Sequence, residues 1–242
     1  MNENLGIIAG PCSVESEKML EDTARKLKSF GVKILRGGAF KPRTSPYDFQ
    51  GMKEDGLKIL KHIGEKFGMR TVSEVVDTRH VEMMAKYVDI LQIGSRNMQN
   101  FELLKEVGRS GHPVLLKRGM CAMINEFKMA AEYIKNEGNE KIIMCERGIR
   151  TFETATRNTL DISCIAILKK ETNYPVIADL SHSLGRKDIV SSVAKAVIAL
   201  GADGIMLEVH PEPCKARSDG YQQLDFDEFS KFMEEIDAEK TR

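Results

Sequence analysis

Short runs of apolar and β-branched residues recur along the chain. They occupy residues 5–10, 32–38, 69–75, 90–95, 113–119, 141–148, 174–182 and 204–210. Nearly continuous apolar runs of this length are typical of strands that are buried on both faces, as in a parallel sheet. The pattern therefore predicts eight buried strands.

Segments with helical period lie between these runs. Examples are SEKMLEDTARKLKSFG, DTRHVEMMAKYV, NFELLKEVGRSG, ATRNTLDISCIAILKKE and DIVSSVAKAVIALGA, and the acidic amphipathic segment FDEFSKFMEEIDAEK closes the chain. Several begin at a cap residue and end before a glycine, which are the usual start and stop signals of helices. Eight strands alternating with eight helical stretches predict one (β/α)8 TIM barrel over residues 1–242, without an appended regulatory domain.

An open, doubly wound sheet would show the same alternation of strands and helices. Its usual marker is a Gly-x-Gly-x-x-Gly turn after the first strand. Here the first strand leads into GPCSVES instead. The barrel is therefore the favoured fold.

Composition limits the classes of partner. Acidic and basic residues number 36 each, so there is no broad basic field to bind nucleic acid or an anionic membrane. The start of the chain lacks the basic and apolar regions of a signal peptide, and no run of about 18 apolar residues occurs, which predicts a cytoplasmic protein.

The five cysteines include no CxxC pair, which argues against a disulfide framework and against a zinc knuckle. Cys121, Cys145 and Cys164 are predicted to be core residues, and the place of Cys214 is left open.

Polar side chains that are unusual beside buried strands stand at or just after the C-terminal ends of these strands. They are Cys12, Arg36, Glu74, Arg96, Lys117, Glu146, Arg147, Asp179, His182, Glu208 and His210. In a barrel these ends converge on one mouth, where the active sites of barrel enzymes lie. We therefore expect these residues to share one cavity.

Many of the candidate residues are cations. They are Arg36, Lys41, Arg43, Arg96, Lys117, Arg147 and Arg150. Guanidinium groups match phosphate and carboxylate oxygens, so the set predicts a ligand with two phosphates or two phosphorylated ligands. The turn KPRTS, residues 41–45, could clasp one phosphate, although a solvated loop explains that turn equally well when it is considered alone.

A second group of residues could bind a metal ion. Its members are Cys12, His182, Glu208 and Asp219. A mixture of thiolate, imidazole and carboxylate suits Mn, Fe, Co or Zn better than Mg or Ca. The ligands are spread over the whole chain, so a buried structural thiol at Cys12 and a core histidine at His182 remain alternatives on spacing alone.

Eight ordered motifs together resemble a known family. They are AGPCSVES, LRGGAFKPRTSPYDFQG, SEVVD, LQIGSRNMQN, LLKRGM, CERGIRTFE, ADLSHSLGR and LEVHPEPCKARSDGYQQL. They resemble the 3-deoxy-D-arabino-heptulosonate-7-phosphate (DAHP) synthases, in the subgroup similar to 3-deoxy-D-manno-octulosonate-8-phosphate synthase. The resemblance covers essentially the whole chain. It implies a transferase that condenses phosphoenolpyruvate with erythrose 4-phosphate, the first step of the shikimate pathway to chorismate and the aromatic amino acids.

The resemblance also implies roles for individual residues. One divalent metal ion would be held by Cys12, His182, Glu208 and Asp219. Phosphoenolpyruvate would be bound by Arg36, Lys41, Arg96, Lys117 and Arg147 and by the backbone of Gly94 and Ser95. The phosphate of erythrose 4-phosphate would be bound by Arg43, Thr44 and Ser45. The residues expected to take part in catalysis are Lys41, Glu74, Cys12 and His182.

Two alternatives differ in substrate or in class. The octulosonate synthases use arabinose 5-phosphate and usually read KANRTS where this chain reads KPRTS, so the shorter turn favours the four-carbon aldehyde. A non-catalytic barrel that binds phosphorylated metabolites would be favoured by a missing site residue, yet every expected position is filled. The resemblance implies a homodimer or homotetramer. It leaves open the metal, the water-activating base, feedback regulation and a chorismate mutase partner.

Overall fold

The computed structural model describes residues 6–43 and 45–240. Within them, eight parallel strands close into a barrel in chain order, and β8 pairs with β1. The strands are β1 (Gly6–Gly10), β2 (Ile34–Arg36), β3 (Arg70–Val75), β4 (Ile90–Ile93), β5 (Val114–Lys117), β6 (Ile142–Glu146), β7 (Val176–Asp179) and β8 (Gly204–Glu208). Each strand lies within one of the eight apolar runs, so the predicted barrel is confirmed.

The α-helices surround the barrel. They are α1 (Glu17–Ser29), α2 (Lys53–Phe67), α3 (Val81–Ala85), α4 (Phe101–Arg109), α5 (Ile124–Asn136), α6 (Ile162–Glu171), α7 (Leu180–Leu184), α8 (Val190–Ala199) and α9 (Phe226–Lys240). Ser16 and Asn100 cap α1 and α4, since their side chains accept the N–H groups of Met19 and Leu103. Both helices therefore begin at the cap residues that the sequence predicts.

Helix α6 begins later than its periodic segment predicts. Asp161 caps it by accepting the N–H of Cys164 at 3.1 Å. The residues before the cap form a loop, closed by a backbone bridge in which Ile149 and Thr159 each donate to the other at 2.9 Å. This segment, residues 147–161, is called the β6–α6 loop below.

The core has two layers. Inside the barrel pack Ile8, Ile34, Val72, Ile90, Leu115, Ile143, Cys145, Ile177 and Met206. The alternate strand residues, such as Leu35, Leu91 and Leu116, point outward and pack against the helices. Apolar side chains thus occupy both faces of each strand, which leaves the polar side chains to the strand ends.

The cysteine predictions hold in part. Cys145 and Cys164 are buried as predicted. The prediction for Cys121 is wrong, because this residue is exposed in the turn between β5 and α5. Cys214 is exposed as well.

No helix within the described part of the chain is long and apolar enough to cross a membrane. The cytoplasmic location stays a prediction. The extent of the catalytic domain over residues 1–242 also stays a prediction.

Candidate active site

The C-terminal ends of the strands enclose a cavity of about 410 Å³. Among the predicted site residues it is lined by Arg36, Lys41, Arg43, Glu74, Gly94, Ser95, Arg96, Lys117, Arg147, Arg150, His182 and Asp219. Cys12 and Glu208 are fully buried beside it. The barrel therefore brings together residues that are spread over the whole sequence.

Three of the four predicted metal ligands form a compact group. One atom each of Cys12, Glu208 and Asp219 lies within 4.8 Å of the others. The fourth, His182, places its Nε2 atom 3.5 Å from Oε1 of Glu208. Asp219 adopts a left-handed backbone conformation with φ of 43°, which few residues other than glycine, asparagine and aspartate accept readily.

Asp179 orients His182. Its Oδ1 atom accepts the backbone N–H of His182 at 3.0 Å, and its Oδ2 atom lies 2.8 Å from Nδ1 of the imidazole. This arrangement leaves Nε2 directed to the group of metal ligands. Burial lowers the pKa of His182 and outweighs the opposing effect of Asp179 and Glu208, so the imidazole is neutral, as a metal ligand must be.

Two cations contact the same group of ligands. Arg36 donates from Nη1 to Oε1 of Glu208 at 2.6 Å, and Lys41 donates to the backbone oxygen of Cys12 at 2.7 Å and to its Sγ at 3.1 Å. Burial raises the pKa of Cys12 to about 11, with a further contribution from Glu208. Burial alone would lower the pKa of Lys41, but Cys12 and Glu208 outweigh it and raise that pKa. Lys41 is therefore fully protonated beside the thiol.

A second ion pair lies across the barrel mouth. Lys117 donates to Oδ2 of Asp179 at 2.5 Å. Burial alone would raise the pKa of Asp179, yet His182 and Lys117 together hold it well below its ordinary value. Arg147 lies nearby and is almost fully buried, and this burial lowers its pKa. The cavity wall thus combines paired cations with a buried guanidinium that could bind an anionic ligand.

Glu74 reaches the cavity because residue 94 is a glycine. A Cβ atom at Gly94 would lie 2.0 Å from Oε1 of Glu74. A larger residue at position 94 would therefore displace the carboxylate from the cavity wall.

Of the three residues predicted to bind the phosphate of erythrose 4-phosphate, Arg43 is found at the cavity. Arg43 lines it and forms an ion pair with Asp48 at 3.2 Å. Ser45 is not among the lining residues, and its hydroxyl accepts the N–H of Tyr47 at 3.2 Å. Thr44 lies outside the described residues.

Two strand-end side chains point away from the cavity. Glu146 accepts from Arg118 at 3.0 Å and from the backbone N–H of Gly148 at 2.6 Å, so it supports the β6–α6 loop. His210 places Nε2 3.8 Å from the carboxylate of Glu15. Neither residue lines the cavity.

Four further residues near the ligands are not predicted from the sequence. Gln223 accepts the backbone N–H of Cys12 at 3.0 Å, and Gln222 donates to Oε2 of Glu208 at 2.5 Å. Arg157 and Asn158 line the cavity from the β6–α6 loop. The two glutamines follow the SDG motif after one intervening residue, Tyr221, and this proximity was the available signal, whereas no pattern in the sequence marks the other two.

The donor set suits a divalent metal ion. It offers one sulfur, one imidazole nitrogen and two carboxylates at the wall of a polar cavity, a combination typical of borderline transition metals. The imidazole already has its second nitrogen beside a carboxylate, as ligating histidines usually do. The residues present therefore fit a metal site.

Comparisons with known proteins agree with this geometry. The DAHP synthetase I family matches residues 1–242. The chain belongs to this family. A phospho-2-dehydro-3-deoxyheptonate aldolase of Thermotoga maritima is 56% identical over 95% of this chain and 68% of its own length. The crystal structure of the Thermotoga maritima enzyme superposes with a TM-score of 0.94, at 55% identity, over 97% of this chain and 68% of that chain.

The DAHP synthetase I family match and the Thermotoga relative define the activity. The chain is a DAHP synthase, a transferase that forms a carbon–carbon bond in the shikimate pathway to the aromatic amino acids. A 2-dehydro-3-deoxyphosphooctonate aldolase of Stenotrophomonas maltophilia is 31% identical over 98% of this chain and 93% of its own length. The octulosonate alternative is thus the weaker one, and the non-catalytic alternative is not supported.

Proposed function

We propose that this cavity condenses phosphoenolpyruvate with erythrose 4-phosphate and water to give DAHP and inorganic phosphate. The observation that carries the proposal is the placement of cationic side chains and of the Cys12, Glu208 and Asp219 group beside one cavity. Two phosphorylated substrates need several cations, and an aldehyde electrophile needs charge stabilisation at its oxygen.

Phosphoenolpyruvate would occupy the cationic wall of the cavity. Its phosphate and carboxylate would bind Arg36, Lys41, Arg96, Lys117 and Arg147, and the backbone of Gly94 and Ser95 would lie beside the phosphate. The burial of Arg36, Lys117 and Arg147 supports this role, since buried cations interact strongly with an anion. Holding both anionic groups fixes the position of the reacting C3 atom.

Erythrose 4-phosphate would enter from the side of the KPRTS turn. Its phosphate would bind Arg43, with Thr44 and Ser45 as the remaining predicted contacts. Arg43 is paired with Asp48 at 3.2 Å, so binding of the phosphate would exchange one anionic partner for another. The aldehyde end would then point to Lys41 and the group of metal ligands.

Cys12, His182, Glu208 and Asp219 would together hold one Mn, Fe, Co or Zn ion. Such an ion, when bound, supplies Lewis acidity to the aldehyde oxygen. Lys41 lies beside Cys12 and would donate a proton to that oxygen as C3 of phosphoenolpyruvate attacks the aldehyde carbon. Water then adds to C2 and releases one proton, which balances the proton given by Lys41. The C–O bond between C2 and the phosphate then breaks, the C2 hydroxyl becomes the ketone, and its proton leaves with the phosphate. Glu74, on the cavity wall, would lie near the reacting carbons.

The resemblance to the family supports two further parts of the proposal. The chain would assemble as a homodimer or homotetramer, and a chorismate mutase partner could supply feedback control. Light scattering of the purified protein, alone and mixed with chorismate mutase, measures the oligomeric state and the association with the partner, and phosphate release by the mixture with and without an aromatic amino acid measures feedback control.

A phosphate-release assay tests the proposed reaction. Metal-reconstituted protein is offered phosphoenolpyruvate with either erythrose 4-phosphate or arabinose 5-phosphate, and chelated protein serves as the control. We expect metal-dependent turnover with the four-carbon sugar. Preference for arabinose 5-phosphate would assign the octulosonate reaction instead.

A further inference from the structure

The β6–α6 loop has an exposed tip and a buried anchor. Phe152 at the tip is 97% exposed, whereas Asn158 is only 6% exposed. The backbone N–H groups of Arg157 and Asn158 donate to the backbone oxygens of Leu184 and Ser183, each at 2.8 Å. The anchor is therefore fixed to helix α7, which carries His182.

Two glycines make room for this anchor. A Cβ atom at Gly185 would lie 2.5 Å from Cβ of Arg157, and a Cβ atom at Gly148 would lie 2.7 Å from Cβ of Asn158. Both glycines also have positive φ angles, of 64° and 88° respectively. The close approach of the loop to α7 is therefore built into the fold.

The side chains of the anchor reach three of the four predicted metal ligands. Arg157 donates from Nη1 to Oδ2 of Asp219 at 3.3 Å and to Oε1 of Gln222 at 2.5 Å. The Nε2 atom of Gln222 in turn donates to Oε2 of Glu208 at 2.5 Å.

Asn158 contacts the third ligand, His182. Its Nδ2 atom donates to the backbone oxygen of that residue at 2.9 Å. One loop after β6 thus contacts ligands that come from the ends of β7 and β8. These contacts reach Asp219 and His182 directly and Glu208 through one amide.

We propose that Arg157 is a positioning residue that holds Asp219 directly, and Glu208 through Gln222, in the geometry that binds the metal ion. The proposal rests on the proposed metal site. Hydrogen-bond partners of metal ligands fix their orientation, and their loss typically costs about 10- to 100-fold in metal affinity. Gln222 is the relay to Glu208, because its amide accepts from Arg157 with one atom and donates to Glu208 with the other.

Cobalt titration of the demetallated protein tests this role without any turnover. Thiolate-to-cobalt charge transfer reports binding at Cys12, and the visible ligand-field band of Co²⁺ reports the coordination geometry by its energy. We expect Arg157→Ala and Gln222→Leu each to weaken Co²⁺ binding by about 10- to 100-fold and to shift the band. Arg157→Lys should recover only part of the affinity, because the more flexible ammonium group keeps the charge but not the fixed direction of the two Nη1–H bonds to Asp219 and Gln222.

The double variant distinguishes a relay from Arg157 through Gln222 to Glu208 from independent effects of the two residues on metal binding. If Arg157 acts on Glu208 through Gln222, Arg157→Ala combined with Gln222→Leu should weaken Co²⁺ binding by less than the product of the single effects. Arg109→Ala is the matched control, because Arg109 also pairs with a carboxylate, that of Glu137 at 2.9 Å, but on the outer face of the barrel. It should leave the titration unchanged.

The outcomes distinguish a failure of the positioning role from a failure of the proposed metal site. Unchanged affinity and an unchanged band in Arg157→Ala, Arg157→Lys and Gln222→Leu would overturn the positioning role alone. Failure of the wild-type protein to bind Co²⁺ would overturn the proposed metal site and this inference with it. Far-ultraviolet circular dichroism identifies any variant that does not fold, in which case the remaining two variants decide.

Discussion

The side-chain nitrogen of Lys41 lies 3.1 Å from the sulfur of Cys12 and 2.7 Å from its backbone oxygen. These two contacts hold a half-buried ammonium group at the edge of the donor cluster. The ammonium is protonated, since Cys12 and Glu208 raise its pKa against the effect of burial. An acid in this position can transfer a proton to an oxygen that is bound beside the cluster.

Replacement of Lys41 should therefore abolish most of the chemical step. We expect Lys41→Met to lower kcat by about 10²- to 10⁴-fold, the usual contribution of general acid catalysis. Phosphate release at saturating substrates measures this loss. Lys86→Met, which removes an exposed lysine paired with Glu82, is the control and should retain wild-type kcat. A Lys41→Met enzyme with unchanged kcat would remove Lys41 from the mechanism.

Removal of the Cys12 sulfur should remove the metal. We expect Cys12→Ala to lose more than about 100-fold in metal affinity, because loss of a ligand should cost more than loss of a ligand's hydrogen-bond partner. Metal content after dialysis, measured by emission spectrometry, and phosphate release check this together. Cys121→Ser alters an exposed cysteine and should leave both unchanged. Full metal content in Cys12→Ala would show that Cys12 is a structural thiol.

The barrel and the shared cavity were predictable because both follow from regular patterns. Apolar runs of strand length predict the eight strands, and the topology of a parallel barrel brings their C-terminal ends together. Residues as distant in sequence as Cys12 and Asp219 thereby became candidates for one site. The contact between them, 3.8 Å from Sγ to Oδ2, follows from the closure of β8 onto β1.

The supporting contacts were not predictable in this way. The bonds from Arg157 to Asp219 and Gln222 depend on the path of the β6–α6 loop, which the helical period of its sequence obscured. The helical period predicts a helix from residue 155, within this loop, whereas α6 starts only after Asp161. Loops leave no periodic signal, so side chains that point from one loop to another can be located only in the folded structure.

Gly10 should be needed for the pairing of β1 with β2. A Cβ atom at this position would lie 2.0 Å from the backbone oxygen of Arg36, and the φ angle of Gly10 is 150°. We expect Gly10→Ala to lower the free energy of unfolding by about 2 kcal/mol or more, through steric overlap and backbone strain. Urea unfolding measures this change. Gly111→Ala is the control, since no atom lies within 4 Å of its added Cβ, and it should cost only about 1 kcal/mol for its φ of 66°.

Glu15 joins the loop after β1 to the loop after β8. Its Oε1 atom accepts the hydroxyl of Ser13 at 3.2 Å and the backbone N–H of Arg217 at 2.9 Å. Burial alone would raise the pKa of Glu15, but the contacts with His210, Arg217 and Ser13 outweigh it and lower that pKa. A depressed carboxylate pKa stabilises the fold above the pKa of the unfolded state, and this stabilisation is lost as the pH falls through the folded pKa.

Glu15→Gln should therefore be less stable than the wild type at neutral pH but not in acid. We expect a loss of about 1 kcal/mol at pH 7, the usual net value of such hydrogen bonds when partly exposed. The difference should shrink as the pH falls below about 4, where the wild-type carboxyl also becomes protonated. Urea unfolding of both proteins across this range measures the difference. An equal difference at both ends of the range would mean that the loops are joined by packing rather than by the charge of Glu15.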